Sequence, residues 1–320
     1  MHVFGPVPSR RLGTSLGVDL VKHKICSLNC VYCECGATTD LTIDRKSFFP
    51  LSDIIFEIDS ILVGKPYLDY ITFSGSGEPT LSSDIGEVIR YIKKYYPQYK
   101  IALLTNATLL NDIALRKELL PVDLIIPSVD AGSEEVFKKI NCPQVNLSLG
   151  ELVNGLKAFA DEFEGHVWIE VFIVPGINDD DSEIEKIKQI CHLINPEKIQ
   201  LNTLDRPAPH NPTITSANIE SLMAMEKIFY PLKTEIIKSS NNNVLKQTNS
   251  KFTSHILLNI MDMICRRPST TQDIASALGL RMVEVNKYLK QLKDKGILLF
   301  KDEARGRFYY IENKNSEDTR

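Results

Sequence analysis

Six short apolar runs alternating with longer amphipathic stretches constrain this chain more than any other feature. The runs are SLGVDLV (15–21), DYITFSG (69–75), KIALLTN (100–106), DLIIPSVD (123–130), VWIEVFIV (167–174) and KIQLNTL (198–204). They are rich in Val, Ile, Leu and Phe, as strands covered on both faces must be. Between them, LSDIIFEIDSILVG (51–64), SSDIGEVIRYIKKYY (82–96) and SEIEKIKQICHLI (182–194) have helical length and periodicity, with Ser52 and Ser82 expected at N-caps. Strand–helix repetition of this kind predicts a parallel β/α barrel or a doubly wound sheet. In either, functional side chains gather just beyond the C-terminal ends of the strands.

The last seventy residues follow another pattern. SSNNNVLKQTNSK (239–251) is poor in apolar residues and without period, and is expected to link two units. The expected division is a barrel unit at 1–238, a linker at 239–251, a second unit at 252–311 and a tail at 312–320. HILLNIMDMI (255–264), TTQDIASALGL (270–280) and RMVEVNKYLKQLKDKG (281–296) predict three helices, and ILLFKD and RFYYIE around ARGR (304–307) predict a hairpin. That is the order of a winged helix-turn-helix domain, with Gly279 in the turn and Ala275 and Leu278 on the apolar face of the second helix. Residues 251–320 carry net charge +4, whereas 1–250 carry −8. Arg281, Asn286, Lys287, Lys290 and Lys293 fall on the expected recognition helix, and Arg305 and Arg307 on the wing. The positive balance suits phosphate contact, but the same fold also serves peptide binding, so nucleic acid and peptide or protein partners are both expected. No apolar run approaches the roughly 18 residues of a membrane span, and MHVFGPVPSRR has no signal-peptide core. A soluble, cytoplasmic protein with no membrane partner is the expectation.

Seven cysteines do not suggest a secreted disulfide framework, and four of them lie between 26 and 35. Cys26-x3-Cys30-x2-Cys33 follows the first strand directly. Three soft thiolates converging from one loop suit an iron–sulfur cluster and leave one iron of a four-iron cluster open. A structural zinc site, with Cys35 or His23 as fourth ligand, and a set of packed cysteines are the alternatives. Zinc sites more often show a second cysteine pair at a distance, and none is present. GSGEP (75–79) follows the next strand; its glycines allow close approach to a ligand, and Glu78 could pair with an ammonium group.

With Tyr32 just before the last cysteine, the Cys26–Cys30–Cys33 spacing resembles the signature of the radical S-adenosylmethionine (SAM) enzymes, and the resemblance extends through most of 1–230. Gly75-Ser76-Gly77-Glu78 is similar to that family's Gly-Gly-Glu motif, departing from it at Ser76. GPVPSRRLG and QLNTLDRP resemble a subgroup of iron–sulfur oxidoreductases distantly related to wyosine-base tRNA-modifying enzymes. The resemblance implies an α/β fold with a partial (β/α)6 TIM-like barrel, ahead of the C-terminal winged helix-turn-helix domain. It implies a [4Fe-4S] cluster on Cys26, Cys30 and Cys33, and SAM held by Tyr32, Gly75, Ser76, Gly77 and Glu78. It further implies a nucleoside side lined by Thr105, Asn106, Ser128 and Asp130. The implied reaction is reductive SAM cleavage to a 5′-deoxyadenosyl radical that takes hydrogen from an RNA or a peptide or protein. Its electron donor would be a reductase or a flavodoxin- or ferredoxin-type protein. The competing class is a transcription regulator that senses redox state or SAM through its cluster.

Several strand-end groups stand apart from these motifs. Ser128 and Asp130 alternate, and so should share one face. Arg206 is either an anion clamp or part of a structural network with Asp205. Glu170, inside a strand, needs a partner if it faces the interior. Cys191 lies on an apolar helix face and is expected in the core. Cys35 and Cys142 have no assigned role.

Overall fold

The first hairpin pairs β1 (Val3–Ser9) antiparallel with β2 (Gly13–Val18). The computed structural model that shows this describes residues 2–237 and 256–311; the expected linker at 239–251 and tail at 312–320 lie outside the described residues. The chain continues through β3 (Ile25–Cys26), β4 (Asp40–Leu41), α1 (Leu51–Leu62), β5 (Tyr70–Phe73), α2 (Ile85–Tyr95), β6 (Ile101–Thr105), α3 (Ile113–Leu119) and β7 (Leu124–Pro127). It then forms α4 (Glu134–Ile140), α5 (Leu149–Glu162), β8 (His166–Phe172), α6 (Asp181–Ile194), β9 (Lys198–Asn202), α7 (Ile219–Ile228) and β10 (Thr234–Ile236).

All six expected strands are present, in one sheet of order β1-β2-β5-β6-β7-β8-β9-β10. From β2 onward every pair is parallel, and the order never reverses. A doubly wound sheet requires a reversal, so this topology is that of a partial TIM-like barrel. Among the described residues β1 and β10 do not pair, which leaves the barrel open between them. Neither strand was expected. Pro6 and Pro8 remove ladder donors from β1, a defect tolerated only at a sheet edge, and β10 has three residues. Leu16, Ile71, Phe73, Leu103, Ile125, Ile169 and Leu201 are fully buried strand residues, and Cys191 joins the same core, as expected.

Two expected caps are corrected. Helix α1 starts after Pro50 with no side-chain cap, while Ser52 bonds to Asp53. Helix α2 starts after Asp84, because Pro79–Leu81 forms a 3-10 turn that carries the chain past Ser82. The buried Ser82 hydroxyl accepts from Asp84 N–H instead.

The C-terminal elements are α8 (Ile256–Arg266), β11 (Ser269–Thr270), α9 (Thr271–Leu278), α10 (Met282–Asp294), β12 (Leu299–Glu303) and β13 (Gly306–Tyr310). Three helices precede a hairpin, as expected, and β11 adds a third strand to it. Gly279 ends α9 in the left-handed region at φ +63°, and Ile260, Ile264, Ile274, Val285, Leu289 and Leu292 form a core separate from that of the barrel. This module packs α9 against β1, at one edge of the open barrel. It also grips the loop after β9. Asp273 accepts from Arg206 Nη1 at 2.6 Å and from Arg305 Nη2 at 2.7 Å, and Arg305 also pairs with Asp205. Among the described residues no helix is long and apolar enough to cross a membrane.

Candidate cofactor site at the strand ends

The chain leaves β2 through Asp19 and runs directly into the cysteine loop. The GSGEP turn leaves β5, the neighbouring strand, and the two segments are bonded together. Lys24 N–H donates to Ser76 O at 2.9 Å, and Glu78 N–H donates to Ile25 O at 3.1 Å. Both glycines are dictated by this contact. A Cβ at Gly75 would lie 2.1 Å from the Asp19 carboxyl carbon, and one at Gly77 2.1 Å from Ile25 O. Asp19 Oδ2 accepts from both Ser76 N–H (3.1 Å) and Ser76 Oγ (2.9 Å), which explains a serine where the resemblance had a second glycine.

Each cysteine of the signature is free and has a donor at its sulfur. Leu28 N–H and Asn106 Nδ2 lie 3.5 Å from Cys26 Sγ, Asn141 Nδ2 lies 3.4 Å from Cys30 Sγ, and Lys24 Nζ lies 3.0 Å from Cys33 Sγ. Burial, with Glu78 nearby, pushes the Cys26 thiol up to about 12, and burial raises Cys30 as well. Cys33 lies below its ordinary value because Cys35 hydrogen-bonds to it and Lys24 stands beside it. Among the described residues no three Cys, His, Asp or Glu side chains stand together at metal-binding distances. The donor chemistry nonetheless fits a cluster: three thiols on one loop, each with an N–H group placed to stabilise a thiolate.

Glu78 is almost completely buried. Its Oε1 accepts from Thr80 N–H (3.1 Å), Thr80 Oγ1 (2.6 Å) and Thr105 Oγ1 (2.6 Å), and its Oε2 accepts from Asn106 N–H at 2.8 Å. Burial raises its pKa despite these bonds. Oε1 is saturated, so any ligand ammonium must meet Oε2. Thr105 and Asn106, expected on the nucleoside side, brace Glu78, and Asn106 also donates to Ser27 Oγ at 2.9 Å.

Ser128 and Asp130 do share a face. Both line a cavity of about 30 Å3 with Cys30, Tyr32 and Asn106. Asp130 is buried and accepts from Tyr32 OH (2.5 Å), Asn141 Nδ2 (2.8 Å) and Phe172 N–H (2.9 Å). Burial lifts its carboxyl to about 6. Tyr32 stacks on Phe172 at 3.9 Å and 8°. The polar atoms of Tyr32 and Asp130 therefore hold each other and the Cys30 segment in place.

Other residues of the region were missed or only half anticipated. The 140–144 segment lies along the cysteine loop through Asn29 N–H to Asn141 O, Val31 N–H to Ile140 O and Gln144 N–H to Ser27 O. Cys142, left unassigned, is carried there with its thiol turned to Lys139 O at 3.7 Å. Asn141 was missed, since nothing marks an asparagine 111 residues from its cysteine. Lys24 was missed although it lies two residues before Cys26. Glu170 has the partners an interior carboxylate requires: Arg11 Nη2 at 2.8 Å and Asn202 Nδ2 at 2.7 Å. Burial opposes its ionisation, but the Arg11 charge holds the carboxyl below its ordinary range. Arg206 belongs to a network, as one reading had it, but its short partner is Asp273 of the C-terminal module rather than Asp205.

Three-thiol loop, bonded glycine turn and open barrel define one class: the chain belongs to the radical SAM superfamily, which matches residues 20–187. Members bind a [4Fe-4S] cluster and SAM, and this protein takes both. The chain is 30% identical over 323 residues to the UPF0026 protein MJ1312 of Methanocaldococcus jannaschii, covering 98% of this chain and 97% of that one. It is 36% identical over 296 residues to a protein of Brachyspira hyodysenteriae named GTPase Obg; the match covers 92% of this chain but only 43% of that relative. A radical SAM methyltransferase from Sphaerobacter thermophilus shares the fold, with TM-score 0.54 at 16% identity over 69% of this chain and 66% of that one.

Proposed function

We propose that this protein is an oxidoreductase-type radical SAM enzyme acting on an RNA or a peptide or protein substrate. Superfamily membership supports SAM-dependent radical chemistry; the substrate and the finer reaction are inference. The observation that carries the reading is the direct bonding of the cysteine loop to the GSGEP turn. It joins a three-thiol donor set to a buried carboxylate with one oxygen still able to accept. Cys26, Cys30 and Cys33 would hold the cluster, and Glu78 Oε2 and the backbone of Gly75–Gly77 would hold the methionyl end of SAM. When bound, these cofactors supply one-electron cleavage of the sulfonium to methionine and a 5′-deoxyadenosyl radical, using an electron from a reductase, flavodoxin or ferredoxin.

The chain's own residues orient and exclude. Lys24, Asn106 and Asn141 direct donors at the sulfurs, the Tyr32–Asp130–Asn141 bonds fix the floor beside Cys30, and the C-terminal module packs on β1 and on the loop after β9. Exposed Lys287, Lys290 and Lys293 on α10 support recruitment of a polyanion or acidic segment by the winged-helix module. The regulator reading loses support, because a wing reading DNA needs its basic side chains free. Arg305 is paired with Asp205 and Asp273, and Arg307 with Asp302 at 2.7 Å.

The test is anaerobic reconstitution with iron and sulfide, then dithionite and SAM, with 5′-deoxyadenosine measured by mass spectrometry. Cluster-dependent 5′-deoxyadenosine, absent from Cys30→Ala, is the expected result. A reconstituted, SAM-binding protein that forms none with RNA or peptide pools present would overturn the reading.

A further inference from the structure

The first residue beyond β2 is a carboxylate, and three donors meet on one of its oxygens. Asp19 Oδ2 accepts from Ser76 N–H at 3.1 Å and from Ser76 Oγ at 2.9 Å, and it meets Arg266 Nη1 at 2.9 Å. The serine belongs to the glycine turn, whereas the arginine is the last residue of α8, 247 positions further along the chain. The carboxylate lies flush on the turn, since a Cβ at Gly75 would stand 2.1 Å from its carbon. Any shift of the carboxylate is therefore passed to the turn.

Asp19 is only 5% exposed, so its charge depends on a partner. Lys22, His2 and His23 line the cleft of about 290 Å3 beside it, but among the described residues only Arg266 is in ion-pair contact with Asp19. Arg266 is itself aimed. Its Nε donates to Asp262 Oδ2 at 2.9 Å, one turn earlier in α8, and its Cζ stands 4.7 Å from the centre of the Phe4 ring in β1. That ring lies over Gly17 of β2, where a Cβ would fall 2.1 Å from it. One helix of the C-terminal module and two strands of the barrel thus fix the guanidinium, whose planar fork serves a carboxylate on each side.

We propose that Arg266 is a positioning residue for SAM. It acts through Asp19 to hold the Gly75–Gly77 turn in its binding shape, so that docking of the C-terminal module and SAM binding favour each other. The inference rests on the assignment of that turn to the methionyl end of SAM. Without the guanidinium, a nearly buried carboxylate is left with no cation, and it regains a partner by swinging toward the water of the cleft. Its Oδ2 then leaves Ser76, and ordering the turn costs part of the binding energy. Linkage makes the effect reciprocal: SAM, once bound, steadies α8.

Reconstituted full-length protein is titrated anaerobically with SAM by calorimetry, and amide exchange in α8 is measured with and without SAM. Arg266→Gln should weaken SAM binding about tenfold, and Arg266→Lys, which returns the charge without the fork, should lose only about threefold. In the wild type SAM should slow exchange in α8, and in Arg266→Gln it should not. Action through Asp19 has its own signature. In an Asp19→Asn background, where the amide oxygen still serves Ser76, Arg266→Gln should weaken SAM binding by less than about twofold more. Losses that multiply in full across the two backgrounds would mean that the arginine only holds the module in place, and would overturn the proposal. Unchanged SAM affinity in Arg266→Gln, or wild-type α8 exchange indifferent to SAM, would do the same. Should Arg266→Gln not fold, the same cycle is run with Arg266→Lys. A wild type that binds no SAM overturns the assignment of the turn as well; in a failure of this proposal alone the wild type binds SAM and the variants match it.

Discussion

Replacing Glu78 by alanine should damage the fold before it damages ligand binding. The side chain is buried and accepts four hydrogen bonds. The hydroxyls of Thr80 and Thr105 can rotate toward other acceptors once it is gone, but the N–H groups of Thr80 and Asn106 cannot. A buried donor left without a partner costs about 1–3 kcal/mol, so the two together cost about 2–6, and the emptied space adds to that. Removing a carboxyl whose ionisation burial disfavours returns a part, since its pKa is raised. The net expectation is a loss of about 3 kcal/mol. Trp168, the single tryptophan, lies in β8 and reports barrel unfolding by fluorescence. With an m-value of about 3 kcal/mol/M, the urea midpoint of the reduced, cluster-free protein should fall by about 1 M. Glu78→Gln keeps the shape and one acceptor oxygen; with that oxygen serving the two threonines, its amide faces Asn106 N–H, and about half the loss is expected. A midpoint shift below about 0.3 M in Glu78→Ala would show that the carboxylate is not the brace described, leaving ligand contact as its role. Weak SAM binding in the alanine variant therefore assigns nothing by itself, and the glutamine variant is the informative one.

Three further outcomes follow from the same geometry. Asp130 has a folded pKa of about 6 against an ordinary 3.8, so it contributes stability that is complete below about pH 4 and lost as pH rises through 6. That is about 3 kcal/mol in full at 1.36 per unit, of which about 2.4 should appear as a change in the stability gap between wild type and Asp130→Asn from pH 4 to 7; a pH-independent gap in urea titrations refutes it. Asn141→Ala removes the donors to Cys30 Sγ and Asp130, and should let a chelator strip the reconstituted cluster about tenfold faster, read by loss of absorbance; an unchanged rate removes Asn141 from the cluster's support. Asp273→Asn discharges the group shared by Arg206 and Arg305, and should weaken docking of the C-terminal module by about 3 kcal/mol, seen as faster amide exchange in β1 and α9; native protection of both would show that apolar packing alone holds the module.

Much of this was legible in the sequence because it depends on local order. The strands are short apolar runs bounded by turn residues, and their succession with helices in between is a linear property; all six emerged where expected. The three cysteines lie within eight residues of one another, so their grouping needs no tertiary contact to be recognised, and the same is true of Gly75–Glu78. What each polar group does was decided only by the fold. Thr105, Asn106 and Asp130 were expected on the ligand side as strand-end groups and Tyr32 through the resemblance; the fold adds that a buried carboxylate must collect donors from whatever lies near. Glu78 and Asp130 took theirs from these residues and from Asn141, on segments the topology brings alongside. The expected caps Ser52 and Ser82 failed for a smaller reason of the same kind, since a proline and a 3-10 turn reset where the helices begin.

The partnership of the two units was the least legible feature. Basic residues near the C-terminus suggest a surface for phosphate when counted along the chain, and Arg305 was placed on a free wing for that reason. Charge counted by sequence says nothing about which face is turned inward. An open barrel has two unpaired edges to protect; the module covers one of them by setting α9 on β1, and its Arg305 holds the loop after β9. Composition and spacing determined the chemistry this chain can carry. Docking of the C-terminal residues on the barrel, which sets Arg266 on Asp19 beside the glycine turn, was decided by tertiary structure alone, because it depends on pairs more than 60 residues apart.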